Sequence, residues 1–174
     1  MVNTHRRYIE NKILPMEVLS EFLERIRHGH KIVTTNGAFD LLHKGHLHTL
    51  EEAKSYGDYL IVGLNSDSSI KGYKSPHRPI IPESQRAYML ASLSVVDYVT
   101  IFHEIDPIKF IEAMKPDFHV KSRTGFKGLE TNVVHKTGSL VLIDDLEGYS
   151  STDIINRAVR SHEASLQSYY RRQV

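Results

Sequence analysis

Apolar positions along this chain fall into two kinds of run, short solid ones and longer spaced ones. Over residues 15–28, Leu19, Phe22, Leu23 and Ile26 recur at helical spacing, and Gly29 is placed to end the helix. KIVTT at 31–35 predicts a short buried strand. A turn, NGAFD, comes next, and then an apolar-periodic helix from about Leu41 to Tyr56, stopped by Gly57. YLIVGL at 59–64 is a second buried strand. Asn65 to Pro79 is polar, with Gly72, Pro76 and Pro79, and reads as a loop or a short helix plus a loop. Pro82 stands at a first helical position before ESQRAYMLASL. Val95–Phe102 predicts a third strand, and Asp106-Pro107 opens a helix through Met114. Residues 117–121 predict a fourth strand, 128–137 a helix ended by Gly138, and 139–143 a fifth strand. Ser150 or Ser151 can cap a last helix with Asp153 early in it, and 163–174 reads as a polar, loose helix end.

This strict alternation predicts an α/β fold: one parallel sheet with helices on both faces, because right-handed crossovers bury both sides of such a sheet. The length, 174 residues, suits a single domain. We expect an N-terminal helical extension over 1–29 packed on the domain, the domain itself over 30–162, and a tail over 163–174. No repeat or linker interrupts the pattern. In such a sheet the ligand lies beyond the carboxyl ends of the strands, so the loops after the strands are where chemistry is expected.

Composition narrows the choice of partners. Lys plus Arg is 22 and Asp plus Glu is 21, so nothing global points to a polyanion. Arg171-Arg172 beside Tyr169-Tyr170 is too little to predict nucleic-acid binding. The absence of cysteine excludes disulfides, thiolate metal sites and cysteine nucleophiles. Met1–Glu17 lacks a continuous apolar stretch and no window is long enough to span a bilayer, so no signal peptide and no membrane partner are expected, and the expected location is cytoplasmic.

The first strand-to-helix loop carries the densest chemistry: Asn36-Gly37-Ala38-Phe39-Asp40, then Leu41-Leu42-His43-Lys44-Gly45-His46. His43 and His46, three apart, can project from one side of a helix start, and Gly45 leaves room for a phosphate against the backbone. A helix N-terminus offers free N–H groups and partial positive charge. Imidazoles there can donate to phosphate oxygens that gain charge in a transition state. In a chain with 11 histidines such a pair arises easily by chance, and Asp40, His43 and His46 could also ligate a transition metal, although no further ligand cluster stands out.

NGAFDLLHKGH at the end of a first strand resembles the HxGH signature of the nucleotidylyltransferase superfamily, whose members share a Rossmann-like fold. The likeness continues through Asn65-Ser66-Asp67, Lys71 and Lys74, RPIIPESQR at 78–86, VVDYVTIF, PIKFIEAMKPDFHVK and EGYSSTDII. From about residue 30 to 158 the series closely resembles the adenylyltransferase half of bacterial ADP-heptose synthases. Glycerol-3-phosphate cytidylyltransferases share its two ends but fit the middle less well. The resemblance implies that His43 and His46 contact the α- and β-phosphates, and that Asn36, Gly37, Phe39, Asp40 and Gly45 shape the phosphate loop. Lys71 or Lys74 would neutralise phosphate and Arg86 would grip it with its planar fork. Ser150, Ser151 and Thr152 would hold the triphosphate, with Lys121 also near the nucleotide, and Asn65, Asp67 and Arg123 would lie toward the acceptor.

The reaction implied by the resemblance is transfer of AMP from ATP to a sugar 1-phosphate, a heptose foremost. It would use Mg²⁺ on the triphosphate with no dedicated protein metal site, in a homo-oligomer, foremost a dimer. CTP with glycerol 3-phosphate or a similar polyol phosphate, and adenylylation of flavin mononucleotide, stay open, as does a non-catalytic nucleotide-binding regulatory module. One departure bears on specificity. Relatives carry a Lys-Gly stretch followed by Asp-Tyr after the fourth strand, where this chain has Lys121-Ser122-Arg123-Thr124-Gly125.

Overall fold

The computed structural model describes residues 4–171. Five strands, β1 (Ile32–Gly37), β2 (Tyr59–Asn65), β3 (Tyr98–Phe102), β4 (Phe118–Ser122) and β5 (Ser139–Ile143), form one sheet in the order β3-β2-β1-β4-β5. Every pairing is parallel. The helices are α1 (Thr4–Glu10), α2 (Met16–Ile26), α3 (Lys44–Lys54), α4 (Asp67–Tyr73), α5 (Glu83–Ala91), α6 (Ile108–Met114), α7 (Thr131–Val134) and α8 (Ser151–Arg171).

The near-continuous apolar strands are explained by burial on both faces. Val33, Leu60, Val62 and Leu64 pack against Leu50 and Ala53 of α3 and Ala87 and Leu90 of α5. On the opposite face Ile32 and Ile61 meet Leu19 and Leu23 of α2, Phe110 and Ile111 of α6, and Val133 and Val134 of α7. Each such aliphatic side chain removed from water contributes about 1.5–3 kcal/mol. Gly63 in the central β2 is what lets α6 close down: a Cβ there would lie 2.7 Å from the Phe110 ring. The chain between α1 and α2 runs beside β3, with Val99 donating to the Lys12 carbonyl (2.9 Å) and Leu14 to the Val99 carbonyl (3.0 Å), so that edge of the sheet is covered.

β1 is the central strand, and the chain winds outward from it first through β2 and β3, then through β4 and β5. The reversal opens a crevice beyond the carboxyl ends of β1 and β4, where the Rossmann-like arrangement places ligands.

Three boundaries differ from the expected ones. α3 begins at Lys44 rather than near Leu41, because Phe39 and Leu41 take left-handed backbone (φ 46° and 53°) and cannot lie in a helix. The expected helix over 128–137 shrinks to Thr131–Val134. Gly128 is left-handed before it, and the bonds Lys136→Val133 and Thr137→Val134 after it are three-residue turns. The expected loose end is continuous helix to Arg171, while residues 172–174 of the expected tail, Arg172 included, lie outside the described residues.

Among the polar residues sealed into this core is a histidine. His119 of β4 is fully buried, its Nδ1 2.7 Å from Thr34 Oγ1 on β1, and its Nε2 has no partner. Burial, with Lys121 nearby, pushes its pKa down to about 3. In the unfolded chain the same ring takes a proton near the ordinary value of about 6.5, so acid favours unfolding over the interval between the two. Lowering the pH from about 7 to 5 should therefore cost about 2 kcal/mol at this one residue. We predict that the His119→Asn variant, which keeps a partner for Thr34, loses about 2 kcal/mol less stability than the wild type over that interval. Urea unfolding at the two pH values measures this difference, and equal losses would refute it.

Candidate active site

The crevice is a cleft of about 720 Å³. Its wall on the β1 side is built from Asn36, Gly37, Ala38, Phe39 and Asp40, then His43, Gly45 and His46. The left-handed residues Phe39 and Leu41 fold this loop back on itself, so that His43 arrives as the extended residue before the first turn of α3. The His43 and His46 rings then stack, 3.8 Å apart and 22° from parallel, with Phe39 5.3 Å from His46 on its other side. A side chain at Gly45 would sit 3.1 Å from both the His43 ring and Tyr149, so only glycine leaves the stack undisturbed.

Burial lowers the pKa of both histidines. In His46 burial, the neighbouring His43 and then Lys74 take it down to about 4. Both rings are neutral near pH 7. The Nδ1 of each is buried without a partner, so a proton there would lack an acceptor, and the N–H belongs on Nε2, the nitrogen left to face the cleft.

Asp40 organises the opposite wall. Its carboxylate is 1% exposed and accepts from Arg78 Nε (2.7 Å), Ile80 N (2.9 Å) and Ile81 N (3.0 Å). Burial would raise its pKa, but the two backbone N–H groups and Arg78 outweigh that and hold it below the usual carboxylate range. The Ser151 hydroxyl donates to the Asp40 carbonyl, which docks the start of α8 against the same loop. Ser150 caps α8 through the Asp153 N–H (3.0 Å), and Thr152 completes that part of the lining. With all of its carboxylate contacts on residues 78–81, Asp40 has no part in a metal site with the two histidines. Among the described residues no group of three or more His, Cys, Asp or Glu could hold a metal ion.

Several of the residues expected here lie elsewhere. Lys74 lines the cleft, its pKa lowered by burial and then by Arg78, whereas Lys71, about one α4 turn earlier, is exposed and forms no part of the lining. Arg86 does not line the cleft. It is 2% exposed, and its guanidinium donates to the carbonyls of Ile81 (2.8 Å), Ala38 (2.5 Å) and Asn65 (2.9 Å) and to Asp67 Oδ1 (2.7 Å). Asp67 likewise leaves the cleft. It takes Arg86 and the Glu83 N–H, while its own N–H donates to Glu83 (2.6 Å), tying the starts of α4 and α5 together. Asn65 does line the cleft, with its amide donating to Ser69 (3.0 Å). Arg123 points to solvent and pairs with Asp144 (2.9 Å). At 122–125, Asp145 accepts from the hydroxyls of Ser122 (2.5 Å) and Thr124 (2.7 Å), which ties the start of the loop to the chain after β5.

The sequence reading missed Arg78, Glu130, Asp145 and Tyr149, all of which line the cleft. Arg78 opens the RPIIPESQR stretch but carries no local mark of its own. The other three come after strands, in turns that no spacing rule reads.

Residues 34–157 match the family model described as Cytidylyltransferase-like. The chain belongs to that family. It is an enzyme of the nucleotidyltransferase class. Among cytidylyltransferase-like relatives, the bifunctional protein HldE of Helicobacter pylori (strain HPAG1) is 52% identical over 153 residues, covering 87% of this chain and 32% of its own. The bifunctional protein HldE of Syntrophotalea carbinolica is 42% identical over 163 residues, covering 91% and 33%. This chain thus spans about a third of the length of those relatives. A solved lipopolysaccharide core biosynthesis protein from Thermoplasma volcanium superposes with TM-score 0.61 at 32% identity, over 68% of this chain and 100% of that one. Pantoate-beta-alanine ligase from Francisella tularensis shares the fold, with TM-score 0.59 at 16% identity, over 82% and 74%.

The reassignment of Arg86 is testable by stability. Arg86→Met takes the donors from three carbonyls and the half-buried Asp67 carboxylate and should cost about 3–5 kcal/mol in urea unfolding. Lys71→Ala, at an exposed position, should stay within about 0.5 kcal/mol of the wild type. A mild Arg86 variant would make that residue a candidate phosphate ligand again.

Proposed function

We propose that this protein transfers AMP from ATP to a sugar 1-phosphate, foremost a heptose 1-phosphate, releasing pyrophosphate and forming an ADP-sugar that serves as a lipopolysaccharide precursor. The observation that carries the transfer chemistry is the pair of stacked, neutral imidazoles at the β1–β4 crevice, beside the N-terminus of α8. The acceptor is supported by the names of the HldE relatives and of the Thermoplasma protein.

An oxygen of the acceptor's phosphate attacks the α-phosphorus, the bond from that phosphorus to the β-phosphate oxygen breaks, and the electron pair leaves with pyrophosphate. The attacking phosphate is already deprotonated, so no side-chain base is required. His43 and His46 donate from Nε2 to the phosphate oxygens on which charge grows. Being neutral, they supply direction rather than charge. Charge comes from Lys74 and from Arg78, whose Nε is held by Asp40 while its two terminal nitrogens have no protein partner among the described residues. The N-terminus of α8 and the hydroxyls of Ser150 and Thr152 receive the rest of the triphosphate. Besides Asp40, which is taken up by Arg78, the cleft offers the carboxylates Asp106, Glu130 and Asp145, and among the described residues no group of three or more His, Cys, Asp or Glu could cage a metal. That donor set fits Mg²⁺ carried in on the triphosphate, where the ion neutralises the leaving pyrophosphate.

Pyrophosphate release measured for ATP and CTP against heptose 1-phosphate, glycerol 3-phosphate and flavin mononucleotide should single out ATP with the heptose. Turnover on another pair reassigns the substrates, and nucleotide binding without turnover on any acceptor refutes the transferase reading. His46→Ala should lower kcat by ~10²-fold or more with the fold intact by circular dichroism, the scale of one lost transition-state donor. Lys74→Ala should raise the KM for ATP, and Lys71→Ala should leave it unchanged.

A further inference from the structure

Among the carboxylates that line the cleft, Glu130 is buried and incompletely bonded. Glu130 stands just before α7, 4% exposed, where the chain returns to the cleft from the loop after β4. Its Oε1 is 3.7 Å from Lys121 Nζ, an ion pair too long for a good hydrogen bond. The ammonium donates instead to the carbonyl (3.2 Å) and side-chain oxygen (3.1 Å) of Asn36. The other carboxylate oxygen, Oε2, is buried and has no donor at all.

Native proteins rarely leave a buried carboxylate oxygen unsatisfied, and one beside a ligand cleft calls for a partner, whether water, an ion or a substrate group. The group that completes this one is constrained by charge. A carboxylate repels phosphate, so Glu130 has no use at the phosphate end, where His43, His46, Lys74 and Arg78 gather. It can accept only from a neutral or cationic donor. The substrates proposed above carry hydroxyls on their sugars. Glu130 also comes from the chain after β4, and its partner Lys121 donates to Asn36, whereas Lys74 and Arg78 come from the segment after β2.

We infer that Glu130 is a specificity residue that accepts a hydrogen bond from a sugar hydroxyl of the bound substrates. The inference rests on the adenylyltransferase reading. Hydroxyls come from two sources, the ribose of ATP and the acceptor sugar, and both present the same chemistry to a carboxylate. Lys121 Nζ stands on the Oε1 side of the carboxylate, and the loop carrying Leu129 must give slightly for the hydroxyl to reach Oε2. The alternative is a purely structural role, in which Glu130 does no more than neutralise Lys121.

Isothermal titration separates these. Wild type, Glu130→Gln and Glu130→Ala are titrated with ATP, 2′-deoxy-ATP and 3′-deoxy-ATP in Mg²⁺, and with heptose 1-phosphate and its monodeoxy analogues. In the wild type one deoxy compound should bind at least ~10-fold more weakly than its parent, as a hydrogen bond to a charged group implies. Glu130→Gln and Glu130→Ala should weaken the parent, more so in the alanine variant, and in Glu130→Ala that deoxy compound should lose nothing further. A ribose analogue showing this behaviour assigns the contact to the nucleotide, and a sugar-phosphate analogue assigns it to the acceptor. If every deoxy penalty persists undiminished in Glu130→Ala, Glu130 only balances Lys121 and the inference is overturned while the proposed activity stands. A changed preference between ATP and its 6-oxo counterpart ITP, with sugar penalties intact, overturns it too. A wild type that bound none of these compounds would sink the activity and the inference together. Thermal melts verify folding, and Glu130→Gln, equal in size, covers the case in which the alanine variant does not fold.

Discussion

The arrangement of the cleft depends on one buried carboxylate. Asp40 follows the left-handed Phe39 at the tip of the loop after β1, and it gathers Arg78, Ile80 and Ile81 from a segment nearly forty residues later in the chain. Its carbonyl takes Ser151, so the start of α8 is secured at the same point. A carboxylate sealed from water is stable only when fully bonded and charge-compensated. The compensating cation, Arg78, is thereby held by its Nε at the wall of the cleft. The cost of burying Asp40 and the positioning of an anion-binding group are two aspects of one interaction.

Arg86 plays the matching role one layer down. Its fork is spent on carbonyls at the ends of β1 and β2 and in the segment before α5, and on Asp67. A buried arginine can replace the water that strand ends would otherwise need, because its rigid array of donors reaches several acceptors at once. Asp40 and Arg86 therefore act as a pair: one collects donors and the other collects acceptors, and between them they close the same set of loops. The histidines can be neutral and closely stacked because this framework, and not their own charge, keeps them in place.

Much of this was legible in the sequence. The order of strands and helices came from periodicity, because parallel strands buried on both faces are solidly apolar and their covering helices are not. His43, His46, Gly45 and the loop from Asn36 to Asp40 were readable because adjacent residues share a local geometry. Lys71, the alternative to Lys74, and Arg86 and Asp67, all expected at the site from the resemblance, lie outside the cleft lining for a different reason. Residue spacing tells which positions share a helix face but not which way that face points, and Lys74 stands past the end of α4, where the chain has left the helical path that carries the exposed Lys71. Arg86 looked like a ligand because a guanidinium offers the same donors to a phosphate as to a carbonyl. Glu130 and Asp145 were invisible, since each acquires its meaning from Lys121 or Ser122, which belong to another strand or its far end.

The tethering of residues 80 and 81 to Asp40 also bears on motion. Those amides lie in an irregular segment between two helices, where rapid exchange with solvent would ordinarily be expected. Bonded to a carboxylate that is itself out of water, they can be freed only when the loop after β1 comes apart as well. The segment therefore belongs to the slow-opening part of the molecule together with the central strand. Whatever flexibility substrate entry requires must come from elsewhere around the cleft, from the stretch between Ser122 and Glu130 or from the end of α4.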